Sequence, residues 1–304
     1  MRRLARLGSL VIGWNVITIL LGALVRATHS GAGCGRSWPT CQGQLVPELA
    51  GATTIEFIHR GASGVALLLV AILAVGVFRG TIKSHPARRA VTWAGAAVIG
   101  EALIGATIVL YEWVGRDDSL ARVVAVPLHL VNTLLLLAAL TLTVFFLHGG
   151  GRLTGHRGRS WLVAGAAALV LIFASGAVTA LADTLFPVAG LGDESTTHFL
   201  TRLRVVHPVL AVGAVVAALL ASRARGLPSM GLAGWVLGLS IGQLGLGALN
   251  IFLATPLWLQ LLHLAVADAI WIAYVWLGAQ VLASESVSAA GSFTGARHVN
   301  PLHR

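Results

Sequence analysis

The chain has 304 residues, 57% of them hydrophobic and only 11% charged, with a formal net charge of +10. A soluble domain carries roughly 25% charged residues, so this composition excludes an ordinary water-soluble globule and points to the bilayer as solvent. The basic residues are scattered over short segments between apolar runs, which excludes a nucleic-acid-binding patch as their explanation.

A helix needs about 20 apolar residues to cross a ~30 Å hydrocarbon layer, and eight runs qualify. The first, 8–28, follows Arg2, Arg3 and Arg6 as a signal peptide would, but no cleavage site comes after it and it is assigned as a helix. The next segment, G-A-G-C-G-R-S-W-P-T-C-Q-G, carries both cysteines, Cys34 and Cys41. In an oxidising compartment they suit a short-loop disulfide. Two free thiols are the alternative, and a zinc site lacks a second ligand pair.

The second run, 52–78, opens with E-F-I-H-R at 56–60. Glu56 and His59 are three residues apart and share a helical face, and Arg60 offers the acid an ion-pair partner. Glu101 lies in mid-span of the third run, 90–111, and His129 near the start of the fourth, 123–147. The fifth run is 160–182. The sixth, 199–221, holds Arg202, Arg204 and His207; the seventh, 229–253, holds Gln243. The eighth, 257–283, holds His263 and Asp268, the latter off the face of His263. From 285 to 304 the chain is rich in Ser, Gly and Ala, and a disordered tail is expected.

With the N-terminus in the cytoplasm, most of the 21 basic residues fall in inside loops and ends, whereas of the 11 acids Glu285 alone does. The positive-inside rule then makes both termini cytoplasmic and the cysteine loop external.

The two halves echo each other in order. G-A-L-V-R-A at 22–27 resembles G-A-V-T-A-L at 176–181, F-I-H at 57–59 resembles V-V-H at 205–207, and I-G-E-A-L-I-G-A at 99–106 resembles I-G-Q-L-G-L-G-A at 241–248. L-H-L recurs at 128–130 and 262–264. The expected architecture is therefore all-α: eight transmembrane helices as two parallel-repeat four-helix bundles, 1–150 and 151–284.

Four of the 11 histidines occupy repeat-equivalent places: His59, His129, His207 and His263. Ionisable groups inside a membrane are costly and mark function. A four-helix bundle can face two imidazoles across a porphyrin, so two histidines per half suggest two bis-histidine haem sites. Zinc or copper would want further ligands at the same depth. The halves differ where Glu56 precedes His59 but Arg204, with Arg202 nearby, precedes His207. A carboxylate suits proton chemistry or a developing cation; a guanidinium suits haem propionates. This predicts a reacting N-terminal half and a C-terminal half holding a permanent cofactor. Glu101, whose repeat partner is the neutral Gln243, reads as a protonated, hydrogen-bonded structural residue.

Eight spans, E-F-I-H-R at 56–60, the paired outer cysteines and the histidines of spans four, six and eight together resemble the haem A synthase family. The resemblance covers essentially all of the chain before residue 284. It implies oxidation of the C8 methyl group of haem O to a formyl group, giving haem A for terminal oxidases. It implies a haem b cofactor on His207 and His263, substrate haem O on His59 and His129, Glu56 as the catalytic glutamate, and a Cys34–Cys41 disulfide. It also implies residence in the cell membrane, and an association with haem O synthase would help to pass on an insoluble substrate. Some bacterial members carry a second cysteine pair between helices five and six; this chain has none, so roles of that pair do not carry over. Two other readings remain: a di-haem b-type electron-transfer protein, and a parallel-repeat transporter with its substrate site near the midplane.

Overall fold

The computed structural model describes residues 1–155, 158–187, 199–224 and 231–295. These form α1 (Arg2–Ala27), α2 (Gly51–Gly80), α3 (Pro86–Leu110), α4 (Leu120–Leu147), α5 (Arg159–Leu185), α6 (Phe199–Leu203), α7 (Val206–Ala224), α8 (Leu232–Phe252) and α9 (Leu257–Gly295). The described residues contain no strand. Among the described residues eight stretches are long and apolar enough to cross a membrane, the sixth being Phe199–Leu219, which joins α6 to α7.

Local chemistry sets the helix ends. Pro86 stands in the first turn of α3, where its missing N–H costs nothing, and the His85 side chain accepts from the Ala87 amide. Ser119 caps α4 by accepting from the Arg122 amide. The expected continuous helix over 199–221 is instead broken at Arg204 and Val205. Pro208 explains the break: it has no N–H for the Arg204 carbonyl, and its ring opposes helix at that point. The expected disordered tail is also corrected in part. Helix α9 continues to Gly295, since the alanines and serines after 284 carry no proline to stop it; residues 296–304 lie outside the described residues.

Helix α4 is the seam of the molecule. It touches α1 and α3 on one side and α5 and α9 on the other. Leu134 and Leu137 pack against Phe173 of α5 and Trp271 of α9, and the Trp271 indole N–H donates to the Leu134 carbonyl at 2.8 Å. A larger core joins Val11, Leu73, Val91 and Leu140 from α1, α2, α3 and α4. By contrast, α7 and α8 bury almost none of their apolar length in these cores. They face a cavity.

The cysteines are joined, with their Cα atoms 4.5 Å apart. Both are buried, although a loop between apolar runs suggests exposure. The disulfide folds its loop back onto the start of α2, where Thr53 Oγ1 donates to the Gly33 carbonyl at 2.8 Å.

Candidate functional site

One cavity of ≈ 2220 Å³ runs from Trp38 and Pro39 in the disulfide loop to Trp161 at the start of α5. A pocket for a single drug-sized molecule measures about 300–1,000 Å³, so this one has room for larger ligands. His59, His129, His207 and His263 all line it, as do Glu56 and Glu101.

In the C-terminal half, the ring centroids of His207 and His263 are 6.4 Å apart with planes at 80°. Metal–imidazole bonds of about 2 Å on each side, plus the reach of each ring, place two imidazoles on one metal at roughly that separation. The Nδ1 of His207 lies 3.0 Å from the Ile172 carbonyl and 3.3 Å from Ser175 Oγ. Donating there would leave Nε2 available to ligate a metal, the usual way a protein fixes a ligand's tautomer. A Cβ on Gly176 would stand 3.0 Å from His207 Cε1, so the glycine makes space for the ring. Among the described residues no group of three metal-ligating side chains occurs; His207 and His263 stand as a pair.

In the N-terminal half, a Cβ on Gly22 would likewise stand 3.0 Å from His59 Cε1. His129 and Glu101 lie close enough to His59 to act on its charge. The Thr18 carbonyl also faces the His59 ring, without completing a hydrogen bond to Nδ1. Nδ1 of His129 lies 3.0 Å from Glu101 Oε2, off the line of an ideal hydrogen bond. Glu101 is hydrogen-bonded by Asn132 and Thr133 of α4, as the structural reading expects, and it also stands against the His129 ring.

Glu56 is 3% exposed. Its Oε2 accepts from the Cys34 amide at 2.8 Å, and its Oε1 accepts from Arg60 Nε at 3.1 Å and Nη2 at 2.5 Å. Arg60 also donates to the Ser37 and Thr40 carbonyls. The helix and the disulfide loop therefore clamp Glu56 together. The ion pair anticipated from sequence is present, and the same carboxylate lines the cavity.

Arg204 pairs with Asp183 at 2.7 Å and donates to the Ala182 and Phe186 carbonyls. Arg204 lines the cavity, whereas Arg202 is exposed on α6 and is not among the lining residues. Sequence reasoning missed three charged lining residues: Arg26, Arg122 and Asp183. Arg26 donates across the molecule to the Ala180 carbonyl, Thr184 and Gln260. A signal for it existed: Arg26 is the charged residue in G-A-L-V-R-A whose counterpart, Ala180, is neutral.

Comparison with known proteins matches the chain to the family described as cytochrome oxidase assembly protein, COX15-CtaA, over residues 5–54 and 48–275. A protein named protoheme IX farnesyltransferase from Thermus thermophilus is 43% identical over 295 residues, covering 92% of this chain and 48% of that protein. Proteins named heme A synthase are similar over shorter stretches. That of Bacillus pumilus is 46% identical over 71 residues, 23% of each chain. That of Lysinibacillus sphaericus is 36% identical over 130 residues, 42% of each. The chain spans about half the length of the curated relatives it matches along most of its own length.

Proposed function

The chain belongs to the COX15-CtaA family of cytochrome oxidase assembly proteins, and from that premise we propose that it is a haem A synthase, oxidising the C8 methyl group of haem O to a formyl group. The observation that carries this reading is the placing of four intramembrane histidines on one cavity with Glu56 beside them. In this reading His207 and His263 hold a haem b, and His59 and His129 hold the substrate haem O. The haem b supplies one-electron redox chemistry when bound.

The remaining work belongs to the protein's own side chains. Glu56, fixed by Arg60 and the Cys34 amide, presents a carboxylate that takes a proton from the substrate methyl carbon or stabilises positive charge there. If water supplies the oxygen, taking the methyl to a formyl group releases four protons and passes four electrons to an acceptor outside the chain, and a clamped carboxylate needs no reorganisation to receive those protons. Arg60 is committed to Glu56 and Arg204 to Asp183, so Arg26 and Arg122 are the cavity-lining guanidiniums that would serve propionates. The apolar length of the cavity toward Trp161 and Tyr274 accommodates an isoprenoid tail.

Paired geometry supports a parallel repeat. Gly22 packs on His59 as Gly176 packs on His207, and the carbonyls of Thr18 and Ile172 face those same rings. Charge distribution supports a cell-membrane protein with a cytoplasmic N-terminus and the disulfide loop outside. A relative named protoheme IX farnesyltransferase contains a region like this chain within about twice its length. That supports a partnership with the farnesyl-transferring enzyme, which would hand over its insoluble product directly.

The test is product analysis. Protein co-expressed with a haem O source should yield formylated haem on extraction, alongside a b-type pyridine haemochrome. Two haems without any formyl product would instead make it a di-haem electron carrier. Absence of a Soret band would point to a transporter.

A further inference from the structure

A polar shell surrounds one ligand histidine of the N-terminal half, and its counterpart in the C-terminal half lacks it. Glu101 of α3 reaches His129 of α4, with Oε2 at 3.0 Å from Nδ1. Two side chains on the same face of α4 hold the carboxylate: Asn132 Nδ2 donates to Oε1 at 2.5 Å, and Thr133 Oγ1 donates to Oε2 at 3.0 Å. These are three and four residues beyond His129, the spacing of helical neighbours. Gly100 lets the helices approach here, since a Cβ on it would stand 3.0 Å from Asn132 Oδ1.

Aligning the two L-H-L segments puts His263 opposite His129, with Val266 and Ala267 where Asn132 and Thr133 stand. The I-G-E and I-G-Q segments put Gln243 opposite Glu101. Every polar or charged member of the shell is replaced by a neutral one. Gln243 Nε2 donates to the main-chain carbonyl of His263 at 2.8 Å rather than to its ring. Among the described residues neither His263 Nδ1 nor His129 Nδ1 completes a hydrogen bond of good geometry, but His129 Nδ1 has a carboxylate oxygen 3.0 Å away that a small turn of the ring would bring into line. The other C-terminal ligand, His207, has a neutral carbonyl at its Nδ1.

We propose that Glu101 is a positioning residue that holds the Nδ1–H of His129, turns Nε2 to the iron, and makes the N-terminal tetrapyrrole site lower in reduction potential than the C-terminal one. The proposal rests on the haem reading of the four histidines given above. A carboxylate on the far nitrogen raises the basicity of a ligating imidazole. Hydrogen bonding and charge around the ligands are among the levers that set a haem's potential. The more basic ligand favours ferric iron, so a tetrapyrrole held by His129 would be harder to reduce than one held by His207 and His263.

The test uses full-length protein loaded with haem O and haem b, wild type against Glu101→Gln, in a potentiometric titration followed optically. The variant should raise the midpoint potential of the N-terminal haem and leave the C-terminal one unchanged. Equal potentials in variant and wild type overturn the proposal. His129→Ala separates this from failure of the haem reading. If it removes no haem signal, the reading falls; if it removes one while Glu101→Gln shifts nothing, Glu101 alone loses its role. Should Glu101→Gln fail to fold, ¹⁵N chemical shifts of His129 in haem-free wild type decide. A single Nδ1–H tautomer supports the proposal, and an Nε2–H tautomer overturns it.

Discussion

Glu56 is a buried carboxylate that survives burial because three donors converge on it. Removing a donor and removing the charge should therefore differ. Arg60→Ala leaves the carboxylate buried beside a single amide, and breaking a buried pair in this way costs about 3–5 kcal/mol. A lowered thermal midpoint in detergent would read it out, and the double variant Arg60→Ala, Glu56→Gln should recover part of the loss. Glu56→Gln alone keeps the shape and most of the contacts, so haem content should stay at the wild-type level while formyl production stops. Normal haem A output from that variant removes Glu56 from the chemistry. A second residue-scale expectation concerns the glycines against the rings. A methyl 3.0 Å from an imidazole carbon forces the ring to move. Gly176→Ala should lower haem b retention severalfold and spare substrate binding, and Gly22→Ala should do the reverse, both read from pyridine haemochromes.

Among the helices, α9 carries the least explained group. Asp268 is fully buried, and among the described residues neither carboxylate oxygen has a hydrogen-bond partner. An unsatisfied buried polar group costs about 1–3 kcal/mol, so Asp268→Leu should raise the thermal midpoint by an equivalent amount. A fall would show that the acid has a partner the folded chain needs. The helices themselves were legible because a bilayer imposes a length and forbids unpaired backbone, which is why eight runs of apolar residues became eight spans. The break before α7 was also written in the sequence, in Pro208, but an apolar run masks it. The histidines stood out through repetition along the chain. The pairing of Glu101 with His129, and of Arg204 with Asp183, did not, because hydropathy along two helices says nothing about their rotation against each other. Glu56 and Arg60 were readable at i and i+4; the Cys34 amide that completes their clamp was not, since loop backbone carries no side-chain signal.

Across the whole molecule, one cavity serves both halves while a single helix, α4, packs against elements of each. Its seam is held by Leu134 and Leu137 against Phe173 and Trp271. If the two sites act in sequence, damage to one should silence the other without emptying it. His263→Ala should therefore lose the b-type haem, keep substrate haem bound through His59 and His129, and make no formyl product. Trp271→Ala tests the seam. Truncating a buried Trp costs about 3–5 kcal/mol, and since its partners lie on both α4 and α5, the variant should loosen haem at both sites together. Loss confined to the C-terminal haem would mean that each half holds its ligand independently. The Arg26 side chain gives a polar counterpart to that experiment. It leaves α1 to reach Ala180 and Thr184 on α5 and Gln260 on α9, so Arg26→Gln should weaken propionate anchoring in the N-terminal half and contact between the halves at once. The expected signature is a lowered thermal midpoint together with faster haem O loss, and a change in one without the other would divide those two roles.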